Sequence, residues 1–79
     1  MTLKIISAED ILFEGEVSAV HLPGKMGAFT VLPGHAALIS TLTPGSVRFK
    51  VTSEAADRSV DIQGGIVDVD NNVVSVCIY

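Results

Sequence analysis

Apolar and polar residues alternate with a period of two through most of this chain. From Ser46 to Val51, the side chains of Val47, Phe49 and Val51 fall on one side and those of Arg48 and Lys50 on the other, which predicts a strand wetted on one face. Val60 and Ile62 repeat the alternation through Arg58 to Gln63, and Val74, Val76 and Ile78 share a face between Val73 and Tyr79. An opening strand from Thr2 to Ser7 sets Leu3 and Ile5 against Lys4, and Ile66 to Asp70 is expected to pair with the last strand through an Asn71-Asn72 turn. One stretch breaks the rule. Ile11 to Phe13 is interrupted by Glu14-Gly15-Glu16, and in Val17 to Leu22 the apolar parity moves from Val17 and Ala19 to Val20 and Leu22. A bulge near Ser18 accounts for the change, and so does a strand covered on both faces.

Turn chemistry separates these segments. Ala8-Glu9-Asp10 turns the first strand, Pro23 to Gly27 makes a tight loop tip, Thr52 to Asp57 reads as a hairpin loop, and Gly64-Gly65 ends the strand before it. Between Gly27 and Gly45 lies a corner. A strand from Phe29 to Leu32 enters a Pro33-Gly34 turn, a second apolar segment runs from Ala36 to Leu42, and Pro44-Gly45 closes it. Proline presets the first central dihedral and glycine takes the positive one, so both pairs are expected to form type II turns, with the other strands paired onto this corner. Strands recur about every eight to twelve residues and no helical period competes, the pattern of an all-β sandwich or barrel. The whole of residues 1–79 reads as one domain.

Composition narrows the picture. Apolar residues make up 48% of the chain while aromatics are only 5%, so the core is expected to be built from Val, Ile, Leu and Ala. The net charge is −4 and the basic residues Lys4, Lys25, Arg48, Lys50 and Arg58 are scattered, which leaves no basic stripe for nucleic acid. Cys77 stands alone and reads as a small hydrophobe in a core strand of a protein from a reducing compartment. The first residues lack the apolar run of a signal peptide, and no stretch approaches a membrane span, so a cytosolic chain is expected.

Candidate chemistry is sparse. His35 follows the first Pro-Gly turn without an acid nearby in sequence, and reads as a turn histidine bound to backbone or to a partner protein. His21 lies in an apolar strand, where a structural role is the simpler reading, and the two histidines lack the spacing of a metal site. Gly64-Gly65 lacks the helix, lysine and hydroxyl of a phosphate loop, and so reads as a place that permits a bulge or lets another backbone come close. Glu9, Asp10, Glu14 and Glu16 form an acidic group without the spacing of a calcium loop. Lys25, followed by Met26 at a loop tip, allows an alternative: a biotinyl- or lipoyl-type carrier domain modified at that lysine. On the residues alone, the chain reads as a compact β interaction module without a cofactor.

Three motifs carry a resemblance. Ser7-Ala8-Glu9 precedes Phe13-Glu14-Gly15; Leu22-Pro23-Gly24 and Gly27 precede Leu32-Pro33-Gly34-His35-Ala36, Leu38, Leu42 and Pro44-Gly45; Gly64-Gly65-Ile66 precedes Val69, Asn72, Val74 and Val76. In that order the chain resembles the N-terminal β-sandwich domain of the ε subunit of bacterial F-type ATP synthases. The resemblance implies a flattened two-sheet sandwich of about eight to ten short strands. It further implies a non-catalytic part of the central stalk that couples proton-driven rotation to ATP synthesis, held at the cytoplasmic face of the bacterial plasma membrane through its partners, and monomeric when isolated. Ser7, His35 and the strand residues Gly65, Ile66, Val67 and Val69 would meet the γ subunit, and Lys25, Met26, Gly27, Ala28 and Phe29 the ring of c subunits. The chain departs from its relatives at Ala28, where many have an acid, and at Thr30 and Ala37, where Gly and Pro are common. Most relatives continue into two inhibitory helices; if this chain ends naturally at Tyr79, a coupling subunit without that helical hairpin is expected.

Overall fold

In the computed structural model, which describes residues 1–79, every regular element is a strand. In chain order these are β1 (Thr2–Ile6), β2 (Ile11–Leu22), β3 (Phe29–Val31), β4 (Leu38–Leu42), β5 (Gly45–Val51), β6 (Arg58–Ile62), β7 (Gly65–Asp70) and β8 (Val73–Ile78). The eight strands meet the sequence expectation of an all-β sandwich. Along the sheet the order is β4-β7-β8-β1-β2-β5-β6, with β3 on β2, and β1 with β8 is the one parallel pair.

The long strand β2 makes two sheets out of this order. Its first half pairs with β1, from Thr2↔Glu16 to Ile6↔Ile11, in a first sheet of β4, β7, β8, β1 and β2. Its second half pairs with β5 and with β3, and since both pair with Val20 and His21 they must lie on opposite edges, giving a second sheet of β3, β2, β5 and β6. The register slips between Val17 and Ala19, so Ser18 is an extra residue where β2 leaves one sheet for the other. A bulge bends and twists a strand, and this one also moves the inward set from Val17 to Val20 and Leu22. Glu14-Gly15-Glu16 does not interrupt the strand, contrary to the sequence reading; those residues pair with Lys4, Leu3 and Thr2.

A second seam closes the other side of the sandwich. Gly24 bridges Leu42, Lys25 N–H donates to the Thr41 carbonyl (2.9 Å), and Thr43 N–H donates to the Pro23 carbonyl (2.9 Å). The edge strand β4 of the first sheet is thereby sewn to the loop leaving the second. Gly24 has no alternative there, because a Cβ would stand 2.6 Å from the Gly27 carbonyl oxygen and 2.8 Å from the Phe29 ring. Between the sheets lie fourteen buried apolar residues drawn from all eight strands, eight of them valine, with Phe49 the largest. Alanine contributes none, which corrects the expected core composition; Ala19 is only half-buried. Phe49 stacks on Phe13 with ring centroids 4.5 Å apart, and the Arg58 guanidinium lies 5.6 Å above Phe13, covering the open end of the core.

The turns behave unequally. Asn71 (φ 49°) and Asn72 (φ 63°) both adopt positive φ, the two-residue hairpin turn that the right-handed twist of paired strands favours. Gly34 (φ 82°) takes the positive dihedral expected of it, and His35 N–H donates to the Leu32 carbonyl at 3.1 Å to close the turn. Gly45 does not. It is the first residue of β5, paired with Ile62, and its missing side chain makes room for the Pro23 ring, which a Cβ would meet at 3.1 Å. Nor does the rest of the chain pair onto this corner: β4 is an edge strand and β3 pairs only with β2, so the corner lies at the periphery. Cys77 is exposed rather than in the core, because Val74 and Val76 take the inward positions of β8 and the alternation turns Cys77 outward.

Candidate interaction surface

Pairing across the first sheet arranges its outward side chains in rows at right angles to the strands. Thr41, Ile66, Cys77, Ile6 and Ile11 are successive partners in the first row. Ile39, Asp68, Ser75, Lys4 and Glu14 form the second, and Asp70, Val73, Thr2 and Glu16 the third. The first row is apolar from Ile66 to Ile11, a ridge of about 14 Å at the usual strand spacing. Ile66 is 49% and Ile11 54% exposed, and Ile39 in the next row is 75% exposed. Inward positions on the same strands are already filled by Leu3, Ile5, Val67, Val69, Val74 and Val76, so these isoleucines are surplus to the core.

Charge surrounds the ridge. Glu14, Glu16, Asp68 and Asp70 stand in the outward rows and Glu9 and Asp10 in the turn at the end of the ridge, with Lys4 the one basic side chain among them. The Thr2 hydroxyl donates to Glu16 (2.7 Å) and the N-terminal ammonium reaches its other oxygen (3.2 Å). Those two hydrogen bonds, the hydroxyl's first, hold the Glu16 carboxyl below the usual glutamate range.

The second sheet presents a different outer face. Thr30, His21, Arg48 and Ser59 are successive cross-strand partners, with His21 Nδ1 2.8 Å from the Thr30 hydroxyl. The Ser46 hydroxyl donates to Asp61 at 2.6 Å. Arg48, Lys50 and Arg58 are matched in number by Glu54, Asp57 and Asp61 around this sheet. Arg48 Nε lies 3.3 Å from Asp57, and Arg58 grips Glu54 through two nitrogens, which lowers the Glu54 pKa and raises that of Arg58. This face carries no apolar ridge and balanced charge.

The residues singled out in the sequence fall in several places. Ser7 ends β1, its N–H on the Asp10 carbonyl (2.8 Å), whereas His35 is exposed at the opposite end of that sheet, its Nδ1 donating to the Ala36 carbonyl (2.7 Å). About 17 Å of strand separates the two ends. Val67 and Val69 are fully buried and Gly65 packs beneath the Cys77 carbonyl, so of the four residues named in this strand only Ile66 offers a side chain to a partner. Lys25, Met26, Gly27 and Ala28 are exposed, Met26 at 97%, while Phe29 packs against the core and anchors their loop. Ile6, Ile11 and Ile39 were not singled out. For Ile6 and Ile39 the signal was present, branched apolar residues on the polar parity of their strands; Ile11 shares the parity of Phe13 and Val17 and faces outward only because the register slips at Leu12.

No three His, Cys, Asp or Glu side chains are grouped so as to hold a metal ion, and no helix is long and apolar enough to cross a membrane. The sequence model of the family described as ATP synthase, Delta/Epsilon chain, beta-sandwich domain matches residues 1–78. Among curated relatives, the ATP synthase epsilon chain of Janthinobacterium sp. (strain Marseille) is 46% identical over 76 residues, and that of Herminiimonas arsenicoxydans 42%; each alignment covers 96% of this chain and 54% of the relative. The chain thus spans about half the length of the curated relatives it matches. A chain in the cryo-EM structure of the Euglena gracilis mitochondrial ATP synthase superposes with a TM-score of 0.88 at 23% identity, over 96% of this chain and 48% of that one, and shows the same fold. Nothing in these matches supports the carrier-domain reading at Lys25. With the family model matched along almost its full length, the chain belongs to the ATP synthase delta/epsilon chain β-sandwich family.

Proposed function

We propose that this chain is a non-catalytic coupling subunit of a bacterial F-type ATP synthase rotor, working at the cytoplasmic face of the plasma membrane. The outer face of the first sheet seats against the γ subunit. The loop from Lys25 to Phe29 rests on the c-ring, with Lys25, Met26, Gly27 and Ala28 in contact and Phe29 as its anchor. Ser7 and His35 bound the γ contact at its two ends, and Ile66 stands within it.

The observation that carries this reading is the apolar ridge from Ile66 to Ile11, exposed on the broad face of a sandwich whose core is complete without it. The two longer extents of the molecule are 27 and 25 Å, which bound a face of about 700 Å² in projection, close to a standard half-interface of about 800 Å². Seams along both sides of the sandwich resist shear between the sheets, as torque transmission requires. The experiment is binding of the isolated γ subunit to the chain carrying Ile66→Asp or Ile6→Asp, with Ser59→Asp on the other face as control. A central apolar contact replaced by a buried charge costs about 2 kcal/mol or more, so affinity is expected to fall at least about thirtyfold in the first two and to hold in the third. Equal binding by all three would refute the assignment of the face.

A further inference from the structure

Charge on this molecule is divided by sheet. Six of the nine side-chain carboxylates, Glu9, Asp10, Glu14, Glu16, Asp68 and Asp70, belong to the first sheet or its end, against Lys4 and the N-terminal ammonium. The second sheet and its hairpin loop hold three acids and three bases, two of which are paired, and Lys25 sits at the loop tip. The excess of negative charge is therefore carried by the face that bears the apolar ridge.

Resting on the reading that this face meets γ, we infer that its partner surface is an apolar strip flanked by lysine and arginine, and that the negative face steers its approach. Two considerations select that occupant. Across the ridge, Asp68 and Glu14 stand one row away at about 7 Å, outside the apolar contact itself, where rim charges govern the encounter rate and its salt dependence more than the lifetime of the complex. A second copy of this chain is disfavoured as the occupant, since two such faces would bring six carboxylates against six with only a lysine and an N-terminal ammonium on each side, and like charges facing one another oppose association. A basic strip meets both demands: its apolar centre covers Ile66, Ile6 and Ile11, and its rim answers the carboxylates.

The test is the association kinetics of the full chain with purified γ subunit, followed from 50 to 500 mM sodium chloride. Electrostatic steering over a Debye length that shrinks from about 14 to about 4 Å predicts a fall in association rate of about tenfold or more, with the dissociation rate changing far less. The double variant Asp68→Asn with Asp70→Asn should associate several times more slowly at low salt and show a shallower salt dependence, while Asp57→Asn with Asp61→Asn on the second sheet should follow the unaltered chain. A rate independent of salt, or rising with it, overturns the basic partner surface while leaving γ as the partner. Equal effects of the two double variants overturn the steering face. Absence of γ binding at every salt concentration overturns the reading beneath it, and self-association through this face, seen as a dimer in sedimentation, overturns the exclusion of a second copy.

Discussion

Asn72 ties together three parts of the chain that are far apart in sequence, and replacing it separates backbone strain from hydrogen bonding. Its side-chain oxygen accepts the Gly34 N–H at 3.0 Å across 38 residues, its carbonyl accepts the Thr2 N–H at 3.1 Å, and its own φ is 63°. Asn72→Gly keeps the turn, because glycine adopts positive φ without steric cost, and removes only the bond to Gly34. The expected loss is about 0.5–1.5 kcal/mol, the net worth of one such bond. Asn72→Ala loses the same bond and also holds a Cβ in the left-handed region, adding about 1–2 kcal/mol. Asn72→Asp retains the acceptor and should lie near the unaltered chain. For a domain of this size, each kcal/mol moves the melting temperature by about 4–8 °C, so the series Asp, Gly, Ala should descend in resolvable steps.

The assays are thermal unfolding by circular dichroism and amide exchange at Gly34. In Asn72→Gly the Gly34 amide should exchange faster while the β7–β8 amides keep their protection, since the corner loosens and the hairpin does not. Alanine no worse than glycine would refute the strain argument. Unchanged Gly34 exchange in the glycine variant would refute the latch.

Two further outcomes follow from the same geometry. A methyl at Gly65 runs into the Cys77 carbonyl and lies 3.1 Å from the Ile78 Cα, both rigid backbone, so Gly65→Ala should part β7 from β8 and leave little cooperative unfolding; Gly27→Ala meets open space and pays only for its φ of 128°, about 1–3 kcal/mol, and a comparison of their unfolding curves checks the contrast. Glu16 has a carboxyl pKa lowered in the folded state, so its contribution to stability is complete above the ordinary value of 4.5 and is lost as pH falls through the folded value. Carbon-detected NMR titration should show the Glu16 carboxyl protonating below 4.5, and a normal titration would remove Thr2 and the N-terminal ammonium as its partners.

Local chemistry was legible in the sequence, and long-range order was not. The parity change between Val17 and Val20 announced the bulge at Ser18, and the asparagine pair announced its hairpin, because both are written in a few adjacent residues. The Pro33-Gly34 corner looked central for the same reason, being rich in turn residues, yet sheet order depends on which distant strands pair. The parallel partnership of β1 with β8, across some 70 residues, has no local signature. The candidate surface was blurred by a different cause. Resemblance to a family points to a strand, Gly65 to Val69, while the pleat assigns alternate residues to opposite sides; Gly65, Val67 and Val69 share the inward parity and Ile66 takes the outward one. Parity alone, applied to Ile6 and Ile39, would have pointed to more of this surface, whereas Ile11 is turned outward by the register slip at Leu12, which parity does not show.

That division between parities also makes the proposed function testable at all. On a strand with one wet side, inward residues determine whether the chain folds and outward ones whether it binds, and the two sets touch through the backbone only. Val67 and Ile66 are adjacent in sequence, but shortening Val67 opens a cavity beneath two sheets, whereas a change at Ile66 alters a side chain half in water and is expected to move stability by no more than about 0.5 kcal/mol. Loss of partner binding in an Ile66 variant that unfolds normally is thus evidence about the surface. A ridge of apolar side chains kept on the wet side of a sandwich, where threonine would serve the strand nearly as well, is best accounted for by a partner that covers it.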